Sequence, residues 1–259
     1  MTLFRDTEEC VGVSDGAFHF ELADRGASAV LDLIGAANQA VRDSGRPWIT
    51  VAYALPMPWR GQGGFPVTSV VRQLYGAYAA QVQANAKVKT SGDLRVRLAV
   101  ANLGHDAVAW EQVATDLIER RGPDHLAVVA GLGPSLTTTR DFAARLSAAG
   151  VPMVGSSITA DELNGGSYPH LYRVSPTNSD EVAVGLRYIQ ELRDAQPVTT
   201  YLLTVGDEND TYVAALEDAF RSPKYKHDFN ARSIDPTETG HTQALERLAG
   251  DICSSERPV

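Results

Sequence analysis

The chain has 259 residues, 44% of them hydrophobic and 21% charged, with a formal net charge of −9. The basic residues are scattered rather than gathered on one face, which argues against a nucleic-acid partner. No run of about 18 apolar residues is present to cross a bilayer, and MTLFRDTEEC places acids where an export signal needs a basic and then an apolar stretch.

Residues 1–47 read as an N-terminal extension that packs on the first lobe. VGVSDGAFHF suits a short strand or hairpin. Val30, Ile34, Ala37 and Val41 then share a helical face, with Gly45 as a stop. From Trp48 the pattern becomes rhythmic. Strands are expected at 48–56, 94–104, 126–130 and 151–155. Helices are expected at 67–85 (Val67, Val71, Leu74, Tyr78 and Val82 inward), at 106–122 (Trp110, Val113, Leu117 and Ile118 inward) and at 140–150 (Phe142 and Leu146 inward). Short, nearly continuous apolar strands alternating with helices predict an α/β fold with a doubly wound parallel sheet. We place this first, Rossmann-like lobe at 48–172.

LYRVSPTNSDE breaks the rhythm as an extended stretch. Thr177 and Ser179 are cap candidates before a helix carrying Val182, Leu186 and Ile189. A strand at 199–205, a helix at 211–220, a strand at 230–235 and a helix at 241–250 follow. Residues 173–259 therefore read as a hinge crossing and an incomplete second lobe, either a fragment or a layer that a partner completes.

In open parallel sheets, ligands bind beyond the carboxyl ends of the strands. The segments leaving those ends include GLGPSLTTT (131–139) and GSSIT (155–159). They carry the hydroxyls of Ser135, Thr137, Thr138, Ser157 and Thr159 towards helix starts. Free N–H groups there favour an anion, and neutral hydroxyls suit a carboxylate. The blander reading is that each hydroxyl caps its helix. The loop lacks the P-loop lysine and the third glycine of a dinucleotide fingerprint. The G-x-S-x-G elbow of a hydrolase is absent too. The histidines are dispersed, so neither metal nor cofactor is expected. His105 stands at the end of the second strand as a pocket-lining residue or a general base. Trp59 and Tyr212 are candidate aromatic walls or rings packed under their loops, and Asp207, Glu208 and Asp210 form an acidic loop. Cys10 and Cys253 are either two independent thiols or one long-range disulfide.

The run HLAVVAGLGPSLTTTRDFAARLSAAGVPMVGSSITADELNGGSYPHLYRVSPTN resembles the type I periplasmic binding proteins, in the branch of the branched-chain amino acid receptors. YLLTVGDENDTYVAALEDAF resembles the start of that family's second lobe. The resemblance spans about residues 48–235, and the first 47 residues fall outside it. It implies a non-catalytic solute receptor of an ABC importer, or a sensing domain of a larger chain, that closes two lobes on an amino acid or small carboxylate. A permease, or the rest of a larger chain, is the implied partner. The implied location is extracytoplasmic or membrane-tethered. Ser135, Thr137 or Thr138 would bind the ligand carboxylate together with Thr159 and neighbouring Ser157, and Tyr212 would cover it. Arg173, Val174, Ser175 and Pro176 would belong to the hinge. Val213 departs from the glycine customary after that tyrosine, and the family's acidic partner for the ligand ammonium comes later than Val259. The alternatives are an α/β enzyme using His105 or Asp207, and an interaction module that has lost its ligand.

Overall fold

The computed structural model describes residues 2–4, 9–22, 24–60, 63, 65–88, 90, 93–205, 210–222, 229–234 and 241–254. The chain divides into two compact units, residues 1–158 with 162–175, and residues 159–161 with 176–259.

The first unit is a seven-stranded sheet in the order β1-β2-β4-β3-β5-β6-β7. Its strands are β1 (Thr2–Phe4), β2 (Glu9–Ser14), β3 (Trp48–Leu55), β4 (Arg95–Asn102), β5 (Leu126–Gly131), β6 (Met153–Gly155) and β7 (Leu171–Arg173). All neighbours from β4 to β7 are parallel, while β1 and β2 run antiparallel at one edge. The expected doubly wound sheet is therefore present. It is widened by β2 from the N-terminal extension and by β7 from the stretch read only as extended.

Four helices cover the sheet: α1 (Arg25–Asp43), α2 (Val67–Ala86), α3 (Trp110–Glu119) and α4 (Thr137–Ala148). α1 and α2 share one core with β3 and β4, built on Phe20, Leu31, Ile34, Leu55, Met57 and Leu74. Right-handed crossovers put α3 and α4 on the opposite face, where Val113, Leu117, Phe142 and Leu146 are buried.

Two helices differ from expectation. α2 buries Val70, Leu74 and Gln81, while Val67, Val71 and Tyr78 are half-buried and Val82 is exposed. The reason is polar. Gln81 Nε2 donates to Asn38 Oδ1 and to the Val96 carbonyl, which rotates the inward face away from the apolar count. The helix expected at 106–122 is broken. A short 3-10 turn at His105–Ala107 contains Asp106 and Ala107 with positive φ (48° and 59°), and the α-helix begins at Trp110.

Asn38 and Asn85 solve an edge problem. β2 pairs with β4 only from Val100 to Asn102, so the amides of Val96 and Leu98 on the same edge have no strand beside them. Asn38 donates to the Leu98 carbonyl (2.7 Å) and accepts from its N–H (2.9 Å). Asn85 makes the same two-point pair with Val96. Two side-chain amides thus stand in for two residues of a missing strand, and the buried backbone groups stay satisfied.

The second unit holds α5 (Asn178–Ala195), β8 (Tyr201–Val205), α6 (Thr211–Arg221), β9 (Asn230–Ile234) and α7 (His241–Cys253). β8 and β9 form a parallel pair. Val182, Leu186 and Ala219 form its small core, flanked by Phe220 and Phe229 in edge-to-face contact at 5.5 Å.

Cys10 is buried in β2 and Cys253 is exposed at the end of α7, and both are free. Burial pushes the Cys10 thiol up, and nearby Glu21 and Glu9 add to the shift. No described helix is long and apolar enough to cross a membrane.

Candidate functional site

The carboxyl ends of β3, β4, β5 and β6 meet along one edge of the first unit, and the loops leaving them are tied to one another. GLGPSLTTT turns sharply. Gly131, Leu132 and Gly133 have φ of 93°, 72° and 75°. A Cβ on Gly133 would stand 2.4 Å from Pro56 Cδ, and one on Gly131 would stand 2.7 Å from the Ala54 carbonyl oxygen. Only glycine fits at those two places. The backbone is thereby pressed onto the end of β3, where Leu132 N donates to the Ala54 carbonyl (2.7 Å). Leu132 is a buried non-glycine residue in the left-handed region, a conformation that persists only where its surroundings enforce it.

The threonines expected in a loop form the first turn of α4 instead. Its N-cap is Leu136, whose side chain makes no cap bond. Thr138 Oγ1 donates to the Asp106 carbonyl (3.0 Å) and Thr139 Oγ1 to the Pro134 carbonyl (2.7 Å). The capping account of these hydroxyls does not hold, because they bind loop carbonyls. Thr137 is half-buried and its hydroxyl has no partner among the described residues. Ser135 is buried beneath the turn.

The loop after β6 leans on the same turn. Ser157 Oγ donates to the Gly133 carbonyl (2.9 Å), and Ser156 N donates to the Gly131 carbonyl (3.1 Å). Tyr53 OH donates to Gln73 Oε1 (3.0 Å) and lies 3.3 Å from Ser156 Oγ. Tyr53 was not foreseen. It reads as one more apolar residue of a buried strand, and only register places its hydroxyl beside Ser156.

His105 follows β4. Its backbone N–H donates to Glu9 Oε1 (2.8 Å), and its Nδ1 stands 2.8 Å from Glu9 Oε2. Glu9 is 1% exposed. Glu9 thus holds Nδ1, and Nε2 is the remaining ring nitrogen. Glu9 is the functional-type residue that the sequence reading missed. The available signal was a lone acid opening the apolar strand ECVGVS, but its partner lies 96 residues away.

Trp59 is only 7% exposed and lies beneath the Arg60 guanidinium, 4.9 Å from the ring centroid. It packs under its loop and leaves little ring to serve as a wall. Arg173 closes β7, and the division between units falls between Ser175 and Pro176. Exposed Val174 donates its N–H to the Gly155 carbonyl (3.2 Å).

In the second unit, Thr177 caps α5 through a reciprocal capping box with Asp180. Asp161 Oδ2 accepts from Ser179 N (3.2 Å). The Thr159 carbonyl accepts from Asn178 N (2.8 Å). Tyr212 opens α6. Its N–H donates to Asp210 Oδ1 (2.9 Å) and its carbonyl accepts from Asn178 Nδ2 (2.9 Å), while its side chain stays at the surface, 39% exposed. Asp210 is thus a helix cap. Asp207 and Glu208 lie outside the described residues.

No protein-family model and no curated protein matches the sequence. Solved structures do match the fold. An ABC transporter substrate-binding protein from Desulfitobacterium hafniense is similar with a TM-score of 0.57 and 18% identity, covering 80% of this chain and 55% of that one. An ABC transporter substrate-binding protein of the same organism, in complex with Leu, is similar with a TM-score of 0.56, 18% identity and the same coverage. The chain therefore has the fold of these substrate-binding proteins and spans about half the length of the structures it matches.

Proposed function

We propose that the chain is a non-catalytic solute-binding protein whose ligand is an amino acid or a related small carboxylate. The observation that carries this reading is the start of α4. An uncapped first turn and the unpartnered Thr137 hydroxyl sit behind a turn that left-handed Gly133 presses against Pro56 and Gly131 against Ala54. A carboxylate there takes backbone N–H bonds and the favourable end of the helix dipole. Ser135, Thr138 and Ser157 then shape the seat, and His105 offers Nε2 at the same strand edge. Thr159 and Tyr212 are the second unit's contributors, with Arg173, Val174, Ser175 and Pro176 as the hinge.

The similar structure in complex with Leu makes L-leucine the first ligand to test. By the same likeness, an ABC permease or the remainder of a larger chain is the partner, outside the cytoplasm or tethered to a membrane. The test is calorimetric titration of the whole chain with L-leucine, its neighbours among the apolar amino acids and their deaminated acids. A ligand at about 100 times its Kd adds about 2.7 kcal/mol to stability, so melting curves report the same event. Thr137→Val is expected to weaken carboxylate binding. If no compound binds or shifts melting, the reading falls.

An enzymatic reading rests on the Glu9–His105 pair, because a histidine oriented by a buried carboxylate is the arrangement of a general base. Ester hydrolysis that is lost in His105→Ala would favour it.

A further inference from the structure

A cavity of about 220 Å³ opens at the opposite edge of the first unit's sheet, where the parallel strands begin. It exists because β2 leaves the sheet after Ser14 while β4 extends back to Arg95. Phe18, Leu117 and Leu126 give it an apolar lining. Four charged residues also line it: Asp15, Arg97, Arg120 and Asp124.

The charges are not equally satisfied. Arg120 binds Asp116 at 2.9 and 3.2 Å and Asp124 at 2.9 Å. Asp15 accepts a 3.0 Å bond from Arg42. Arg97 has a side chain only 14% exposed. Its guanidinium reaches Asp15 at 3.5 Å, and its buried Nε has no partner among the described residues. The guanidinium otherwise lies 5.7 Å from the Trp48 ring centroid. A guanidinium offers five N–H donors in a fork that matches a carboxylate, and a buried donor left unmatched is costly. The one under-satisfied charge on this cavity, among the described residues, is therefore positive.

We propose that the cavity binds a small aliphatic monocarboxylate, its carboxylate on the Arg97 guanidinium and its apolar body against Phe18, Leu117 and Leu126. Asp15 and Asp124 line the same space, so each further negative charge on a ligand meets like charge, and phosphate and dicarboxylates are disfavoured against a monocarboxylate. The site stands at the far end of the strands from GLGPSLTTT and does not depend on the solute-binding reading.

The test is an NMR titration of the ¹⁵N-labelled whole chain with 3-methylbutyrate, alongside inorganic phosphate. The expected result is saturable shifts at the amides of Leu98, Ala99 and Leu126 with a Kd of about 1 mM, and none there with phosphate. Arg97→Met is expected to weaken that Kd tenfold or more. Because Arg97→Met also removes a contact with Trp48, Ala17→Leu is the second variant. It narrows the cavity from its loop, keeps Arg97 and is expected to abolish the shifts. Absence of saturable shifts at these amides up to about 20 mM, as when only water occupies the cavity, overturns the proposal. An equal response to phosphate, or full binding in Ala17→Leu, overturns it too. Shifts at residues 131–139 report the other edge, so the two sites succeed or fail separately.

Discussion

The helices that directly follow parallel strands begin differently in the two units. In the first, α2, α3 and α4 start at Pro66, Ala109 and Leu136, and none of these makes a side-chain cap bond. In the second, α5 starts at Thr177 with its Asp180 capping box and α6 at Asp210, which accepts from Tyr212 N and Val213 N. A capped start has satisfied its first N–H groups, whereas an uncapped start keeps them for solvent or a ligand. Along one strand edge, the first unit's helix starts therefore lack this cap. The first unit also fixes the loops around them with hydroxyl-to-carbonyl bonds, while the second unit uses its polar side chains for local stability.

Asn38→Leu should be the heaviest blow, and it should fall on the first unit. It leaves the Leu98 N–H and carbonyl and the Asp15 carbonyl without their partner, for a loss of about 3 kcal/mol or more. Denaturant melts followed by hydrogen exchange should place the loosening in β4 and α1 and spare α5 and α6. Gly133→Ala comes next. The positive φ and the approach to Pro56 predict a loss of about 2 kcal/mol, read as faster exchange over 131–139.

Leu136→Asp converts the start of α4 into the kind seen at α6 and tests the comparison most directly. Stability is expected to rise by up to about 1 kcal/mol, while carboxylate affinity falls about tenfold, since the new side chain occupies the ligand's donors. Unchanged affinity would separate the α4 start from ligand binding. Thr177→Ala should cost about 1 kcal/mol, confined to α5.

The smallest effect concerns the thiols. Burial raises the Cys10 pKa, with Glu21 and Glu9 adding to it, so the native state favours the neutral thiol. Any stability from this is present below the unfolded thiol's pKa and lost as pH rises through the folded one. At about pH 8, iodoacetamide should modify exposed Cys253 well before Cys10, with denaturant removing the difference.

Part of the site was legible in the chain. The loop GLGPSLTTT stands out because two glycines and several hydroxyls interrupt an apolar strand–helix pattern. Its place at a strand end follows from period and order alone. The bonding of its hydroxyls was not legible, because Thr138 and Ser157 find their acceptors in Asp106 and Gly133 on other loops. Trp59 reads equally as a wall or as a packed ring because it lies in a Gly/Pro-rich stretch with no period, and only its 7% exposure distinguishes the two. Buried amides such as Asn38 and Gln81 escape any count of apolar residues.

The alternation of strands and helices, the parallel sheet and the edge where its loops gather can all be read along the chain. Those features rest on hydrophobic period and turn residues, which are local properties. It takes the tertiary structure to show that β2 joins the sheet against the parallel direction, that Glu9 lies behind His105, and that Arg97 lines a cavity with its Nε unmatched. Each of these depends on residues far apart in the chain meeting across a sheet edge, and pairing at that range is set by register and packing rather than by any local signal.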